Sequence, residues 1–170
     1  MSRPRPVTGG APRPTNTVVL LREAYLTLND LAIVRLAERG HEAVRPAHGA
    51  VFQYLDDTGT TVSTLAARAE MTKQAMAELV AYLERHGYVV RVPDPTDRRA
   101  RLVRPTAAGR EVVAIAQELV PEVEHHIDDV LGPDRARALR RDLEILQRLV
   151  PGRTAAGTGA TPAGSAEVAP

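Results

Sequence analysis

The chain predicts a mainly α-helical domain that carries one small β-hairpin, and three observations predict it. Apolar residues recur at intervals of three and four over most of residues 17–150, the signature of helices that bury one face. Thr61 and Thr72 each stand just ahead of a short amphipathic run, the pattern of a helix, a tight turn and a second helix. Directly after the second run, Tyr88-Val-Val-Arg-Val92 and Arg101-Leu-Val-Arg104 flank a loop of Pro, Asp and Arg, which reads as two strands closing on a basic tip.

Taken in order, the first helix runs from Val18 to Arg39, with Leu21, Ala24, Leu28, Leu31 and Ile33 or Val34 on its stripe and Gly40 as its stop. Pro46 suits the first turn of a second, short helix carrying Ala50, Val51, Tyr54 and Leu55, which Asp57-Thr58-Gly59 ends. Thr61 then caps a helix with Val62, Leu65, Ala66 and Ala69 on its inner face. Thr72 caps one with Met76, Leu79, Val80 and Leu83 inside, leaving Lys73, Gln74, Ala77 and Glu78 outward near its start. Gly87 separates that helix from the hairpin. Thr106 caps a long helix reaching about Leu131, striped by Val112, Ile115, Leu119, Val123, Ile127 and Val130 and bent at Pro121. After Gly132-Pro133, a last helix places Leu139, Leu143, Leu146 and Val150 on a heptad-like seam. One small core does not need three such long stripes, so the first helix and the last two are expected to intertwine in a homodimer.

The helix-turn-helix and the hairpin together predict a winged helix-turn-helix with a helical dimerisation region. Its chemistry suits double-stranded DNA. Long polar side chains at the start of the second helix of the pair can reach base edges, Lys73 toward guanine and Gln74 toward adenine, while Thr72 or its N–H meets a phosphate. Between residues 91 and 104, five arginines (91, 98, 99, 101 and 104) face two aspartates (94 and 97). Guanidinium groups on a narrow loop can enter a minor groove, where negative potential is focused. Lys73 is the only lysine, so arginine abundance by itself carries no such meaning.

Composition bounds the alternatives. The chain of 170 residues is 44% hydrophobic and 25% charged, a soluble globular balance sufficient for one domain. Its net charge of +1 leaves only the distribution of charge informative. With no cysteine, disulfides, thiolate metal sites and thiol redox sensing are excluded. No apolar run spans a bilayer and no secretory leader is legible, so a cytoplasmic location without membrane contact is expected. Residues 1–16, rich in Pro, Gly and Arg, and residues 151–170, nearly all Ala, Gly, Thr, Ser and Pro, read as disordered tails. Arg3, Arg5 and Arg13 would add loose phosphate contacts or be simply solvated. No Gly-rich phosphate loop, nucleophile elbow or metal motif marks an enzyme, and no cofactor is implied. His125 and His126 point to different helix faces, and His41 and His48 flank a loop, so metal-ligand spacing is absent.

With these residues in place, the chain resembles the MarR family of bacterial and archaeal transcription regulators over residues 18–150. The family's wing pattern, an aspartate, any residue and an arginine, followed by a hydrophobic strand and Thr-x-x-Gly, is met by Asp97, Arg99, Leu102-Val103, Thr106 and Gly109. Leu83-Glu-Arg-His-Gly87-Tyr-Val-Val-Arg91 resembles the preceding helix end and first wing strand. The resemblance implies a DNA-binding lobe over 45–106 and dimerisation helices over 17–44 and 107–150. It also implies a homodimer on a pseudo-palindromic operator. Arg99 is the minor-groove probe, Asp97 orients it, and Arg98 and Arg101 rank second; Thr72, Lys73, Gln74, Ala77 and Glu78 form the recognition surface. It further implies a ligand-responsive repressor releasing DNA when a small anionic or aromatic effector binds between the two regions. Tyr25, Arg45, His48 and Tyr54 are the candidates to line that pocket, with a purely structural His48 as the alternative. A winged helix used for protein contacts, its arginines binding an acidic partner, is the rival function.

Overall fold

A computed structural model describes residues 7–8, 11–12, 15–97 and 99–148. The expectations for Arg3, Arg5, Arg13, Arg98, Val150 and residues 151–170 lie outside the described residues. Two short strands, β1 (Val7–Thr8) and β2 (Ala11–Pro12), pair antiparallel within the segment read as a tail. Helix α1 (Thr17–Glu38) follows, opened by Asn16, whose side chain accepts the Val19 N–H. A 3-10 turn (Pro46–His48) leads into the single turn of α2 (Gly49–Phe52). Next come β3 (Thr60–Thr61), α3 (Val62–Arg68), α4 (Lys73–Arg85), β4 (Val89–Pro93), β5 (Arg101–Pro105), α5 (Ala107–Glu118), α6 (Val120–Leu131) and α7 (Pro133–Gln147).

The threonine caps explain where three of these helices begin. Thr61, Thr72 and Thr106 each have extended backbone, and each side chain accepts the N–H three residues on, at Thr64, Ala75 and Gly109. Such a cap satisfies a donor that has no partner inside the helix and is worth about 1 kcal/mol. Between α3 and α4 the chain turns through Glu70 at φ 54, a left-handed position where glycine is usual. Sequence gives no hint of this conformation.

The sheet has the order β3-β5-β4, all antiparallel, with Val103 opposite Arg91 on one side and Thr60 on the other. The hairpin was expected; the third strand was not. Thr60–Thr61 is too short to show a period, and Thr61 serves both as strand residue and as cap. Gly59 prepares it at φ 108, where a Cβ would lie 2.8 Å from Arg104 Cγ.

One core joins the lobes. Leu65 from α3, Met76, Val80 and Leu83 from α4, Val89 and Val103 from the sheet, and Val112 and Ile115 from α5 close around Val51 and Leu36. The spacing of Met76, Val80 and Leu83 is the helical one-face repeat. Two expected helices differ. The run from Thr106 to Leu131 is two helices rather than one bent helix, breaking at Leu119, with Pro121 in the first turn of α6, because proline has no N–H to continue the ladder and its ring crowds the carbonyl four residues back. The helix after Pro46 ends at Phe52, leaving Tyr54 and Leu55 in the loop and packed on the core from there.

Apolar surface remains uncovered on α1 and on the last two helices. Val18 is 74% exposed and Tyr25 59%, Leu20 and Leu31 are also open, and Val130, Leu139, Ile145 and Leu146 are exposed on α6 and α7. Among the described residues no helix is long and apolar enough to cross a membrane.

Candidate nucleic-acid interface

The first turn of α4 presents its polar side chains outward. Thr72, Lys73, Gln74 and Glu78 are exposed and Ala77 is half-buried, because Met76 and Val80 take the opposite face into the core. The Gln74 amide donates to Glu78 Oε1 at 3.3 Å, so these two act as one polar unit. Lys73 forms no ion pair among the described residues.

The wing tip is built by aspartates bonding to the backbone. Asp97 Oδ1 accepts the Arg99 N–H at 2.9 Å, and the Asp97 carbonyl accepts the Ala100 N–H. Asp94 Oδ1 accepts both the N–H and the hydroxyl of Thr96, at 2.8 and 2.7 Å, and those bonds hold its carboxyl below the usual carboxylate range. The family resemblance implies that Asp97 orients Arg99; the contact between them is to the Arg99 backbone N–H, an Asx turn at the wing tip. Arg99 and Arg101 are exposed and unpaired among the described residues. Other arginines are committed to the fold: Arg91 binds Glu84 at 2.8 Å, tying β4 to the last turn of α4, and Arg68 binds Asp56 at 2.8 Å and the Tyr54 carbonyl at 2.9 Å. Charge alone did not separate these two groups.

A cavity of about 360 Å³ lies between α1, the segment 44–53 and α5. Its walls are mostly apolar, with Ile33, Leu36, Phe52 and Val112 among them, and its polar lining is Asn29, Arg45, Gln53 and Gln117. Of the four residues expected to converge here, only Arg45 does. Tyr25 projects from the exposed first half of α1, Tyr54 packs at the core margin, and His48 is buried against Tyr82 instead. For His48 the local cause is the 3-10 turn Pro46–His48, which sets His48 against Tyr82 while Arg45, Pro46 and Gly49 line the cavity. Asn29 was missed. Its Nδ2 is buried without a hydrogen-bond partner, and its sequence signal was an Asn inside an apolar helix, where that residue is a poor helix former. Among the described residues no three His, Asp or Glu side chains are grouped to hold a metal.

Comparison with known proteins places this architecture. A model of the MarR family matches residues 44–100, the segment from the 3-10 turn through the wing. The transcriptional regulator HosA of Escherichia coli O111:H- is 31% identical over 136 residues, covering 78% of this chain and 96% of that protein. The chain belongs to the MarR family. The transcriptional activatory protein BadR of Rhodopseudomonas palustris is 32% identical to this MarR-family chain over 92 residues, about half (51%) of BadR's length. Among solved structures, the transcriptional regulator Tm0710 from Thermotoga maritima is similar at a TM-score of 0.51 and 26% identity, covering 75% of this chain and 89% of that one. The Staphylococcus aureus MepR–DNA complex shares the fold at a TM-score of 0.60 and 19% identity, covering 78% and 97%.

Proposed function

We propose that this MarR-family chain is a sequence-specific, double-stranded-DNA-binding transcription regulator, acting as a homodimer on a pseudo-palindromic operator and as a repressor relieved by a small ligand. The observation that carries the reading is the division among its cations. Arg91 and Arg68, which brace the fold, are paired with carboxylates, whereas among the described residues Lys73 at the start of α4 and Arg99 at the wing tip have no acidic partner. Unpaired charge at two exposed points of one lobe suits phosphates and adjoining grooves. The uncovered apolar faces of α1, α6 and α7 support the two-fold partner, which sets half-sites about one helical turn apart. MepR, which shares the fold, has been solved with DNA.

The cavity supports a ligand response. Arg45 and the unsatisfied Nδ2 of Asn29 would meet a carboxylate or phenolate, and the apolar walls would hold an aromatic ring. Occupancy at the boundary between α1, α5 and the DNA-binding lobe would favour one arrangement of the two regions over another.

Binding of the purified protein to the DNA upstream of its own gene, measured across a salt series, tests the reading. Affinity is expected to fall steeply as salt rises, and Arg99→Ala is expected to weaken binding and reduce the logarithmic salt slope by about one. Salt-insensitive binding, or an unchanged slope in the variant, would refute the wing assignment. Capture of an acidic protein partner without DNA binding would establish the rival reading.

A further inference from the structure

The Pro46–His48 turn has two faces, one on the cavity and one on α4. Arg45, Pro46 and Gly49 line the cavity. On the other side, buried His48 stacks on the Tyr82 ring at 4.6 Å between centroids, and His86 stacks on that ring at 4.1 Å. Arg45 and Arg85 place their guanidinium carbons 5.4 and 5.9 Å from the same ring centre. The Arg45 N–H donates to His48 Nδ1 at 3.0 Å, so this nitrogen must be unprotonated. His86 Nδ1 donates to the Tyr82 carbonyl at 2.8 Å.

We propose that the His48–Tyr82–His86 stack is a proton-operated latch: neutral His48 caps the 3-10 turn and holds it on α4, and protonation of Nδ1 releases that turn from both α4 and the cavity wall. Protonation removes the only acceptor that His48 offers to the Arg45 N–H. It also places a third cation beside Arg45 and Arg85. The groups around His48 are Arg45, which precedes its turn, Tyr82 and Arg85 from α4, and His86, which follows α4; among the described residues no carboxylate pairs with it. Burial, then Arg45 and His86, lower its affinity for a proton below the ordinary imidazole value. A folded-state value below the unfolded one means that the stabilisation is complete above about 6.5 and is lost as pH falls from there through the folded value. Because α4 opens with Lys73 and Gln74, the latch would link acidity to the presentation of that helix.

Two measurements on the full chain test the latch. In an NMR pH titration, the His48 imidazole is expected to titrate below the ordinary imidazole value of about 6.5, with the Arg45 amide shifting at the same midpoint. Titration at or above 6.5, or an Arg45 amide that ignores that midpoint, overturns the proposal. In thermal melts between about pH 7.5 and about pH 5.5, the wild type is expected to lose more Tm than His48→Asn. The asparagine carbonyl can still accept from Arg45 but does not titrate, so equal losses also overturn the proposal. The effect on DNA rests on the reading of the previous subsection, whereas neither measurement involves DNA, so each can fail independently.

Discussion

Gly109→Ala tests how closely α5 approaches the wing. Gly109 lies in the first turn of α5, and a Cβ there would stand 2.1 Å from the Tyr88 carbonyl oxygen. Carbon and carbonyl oxygen settle at about 3.3–3.6 Å, so α5 must withdraw by roughly 1.2–1.5 Å. The same carbonyl accepts the Thr106 N–H at 3.0 Å, and the Thr106 hydroxyl donates to the adjacent Gly87 carbonyl at 2.6 Å; withdrawal of that size breaks both. Two hydrogen bonds at about 1 kcal/mol each, with overpacking of about 1–3 kcal/mol, oppose about 1 kcal/mol returned by replacing a helical glycine with alanine. The expected net loss is about 2–4 kcal/mol, a fall of roughly 4–16 °C in Tm. Urea unfolding followed by circular dichroism, at one fixed protomer concentration, reads it as a lower midpoint at unchanged slope. Gly49, where a Cβ would meet open space beyond its own helix backbone and chain neighbours, is the control and should tolerate alanine. A Gly109→Ala protein as stable as the wild type would refute the close approach.

Three further outcomes follow from the same geometry. Thr72→Ala removes the acceptor for the Ala75 N–H and should cost about 1 kcal/mol in urea unfolding; a loss below about 0.3 kcal/mol would contradict the role of that cap. Asp97→Ala frees the Arg99 N–H at an exposed tip, so Tm should hold while operator affinity in fluorescence anisotropy falls, and undiminished affinity would show that the Asx turn does not aim Arg99. Leu146→Asp puts a charge on the uncovered face of α7. Sedimentation should then show a folded protein shifted toward monomer, and a wild-type dimer would remove α7 from the interface.

Much of the fold was legible because its signals are local. Thr61, Thr72 and Thr106 were readable as caps since each cap bond spans three residues, and Gly87 was readable as a stop since only the residues beside it decide that turn. The wing loop was readable from its Pro, Asp and Arg content. Its inner wiring was less so, since Asp97 could bond to a guanidinium or a backbone N–H with the same sequence. The cavity was the least legible part: of the four residues expected to meet there, Arg45 lines it, beside Asn29, while Tyr25, His48 and Tyr54 are not in its lining. One 3-10 turn, Pro46–His48, sets His48 against α4 rather than on the cavity.

The amino-acid order by itself therefore determined the helix starts, the helix-turn-helix, the hairpin and the family, because caps, periods and turn residues act over three or four positions. Only the tertiary structure decided which arginines are bound to carboxylates, where α5 and α6 part, that Thr60–Thr61 adds a third strand, and which side of the Pro46–His48 turn meets the cavity. Those outcomes depend on residues far apart in the chain, such as Asn29 with Arg45 and His48 with Tyr82, whose meeting is set by how whole helices pack.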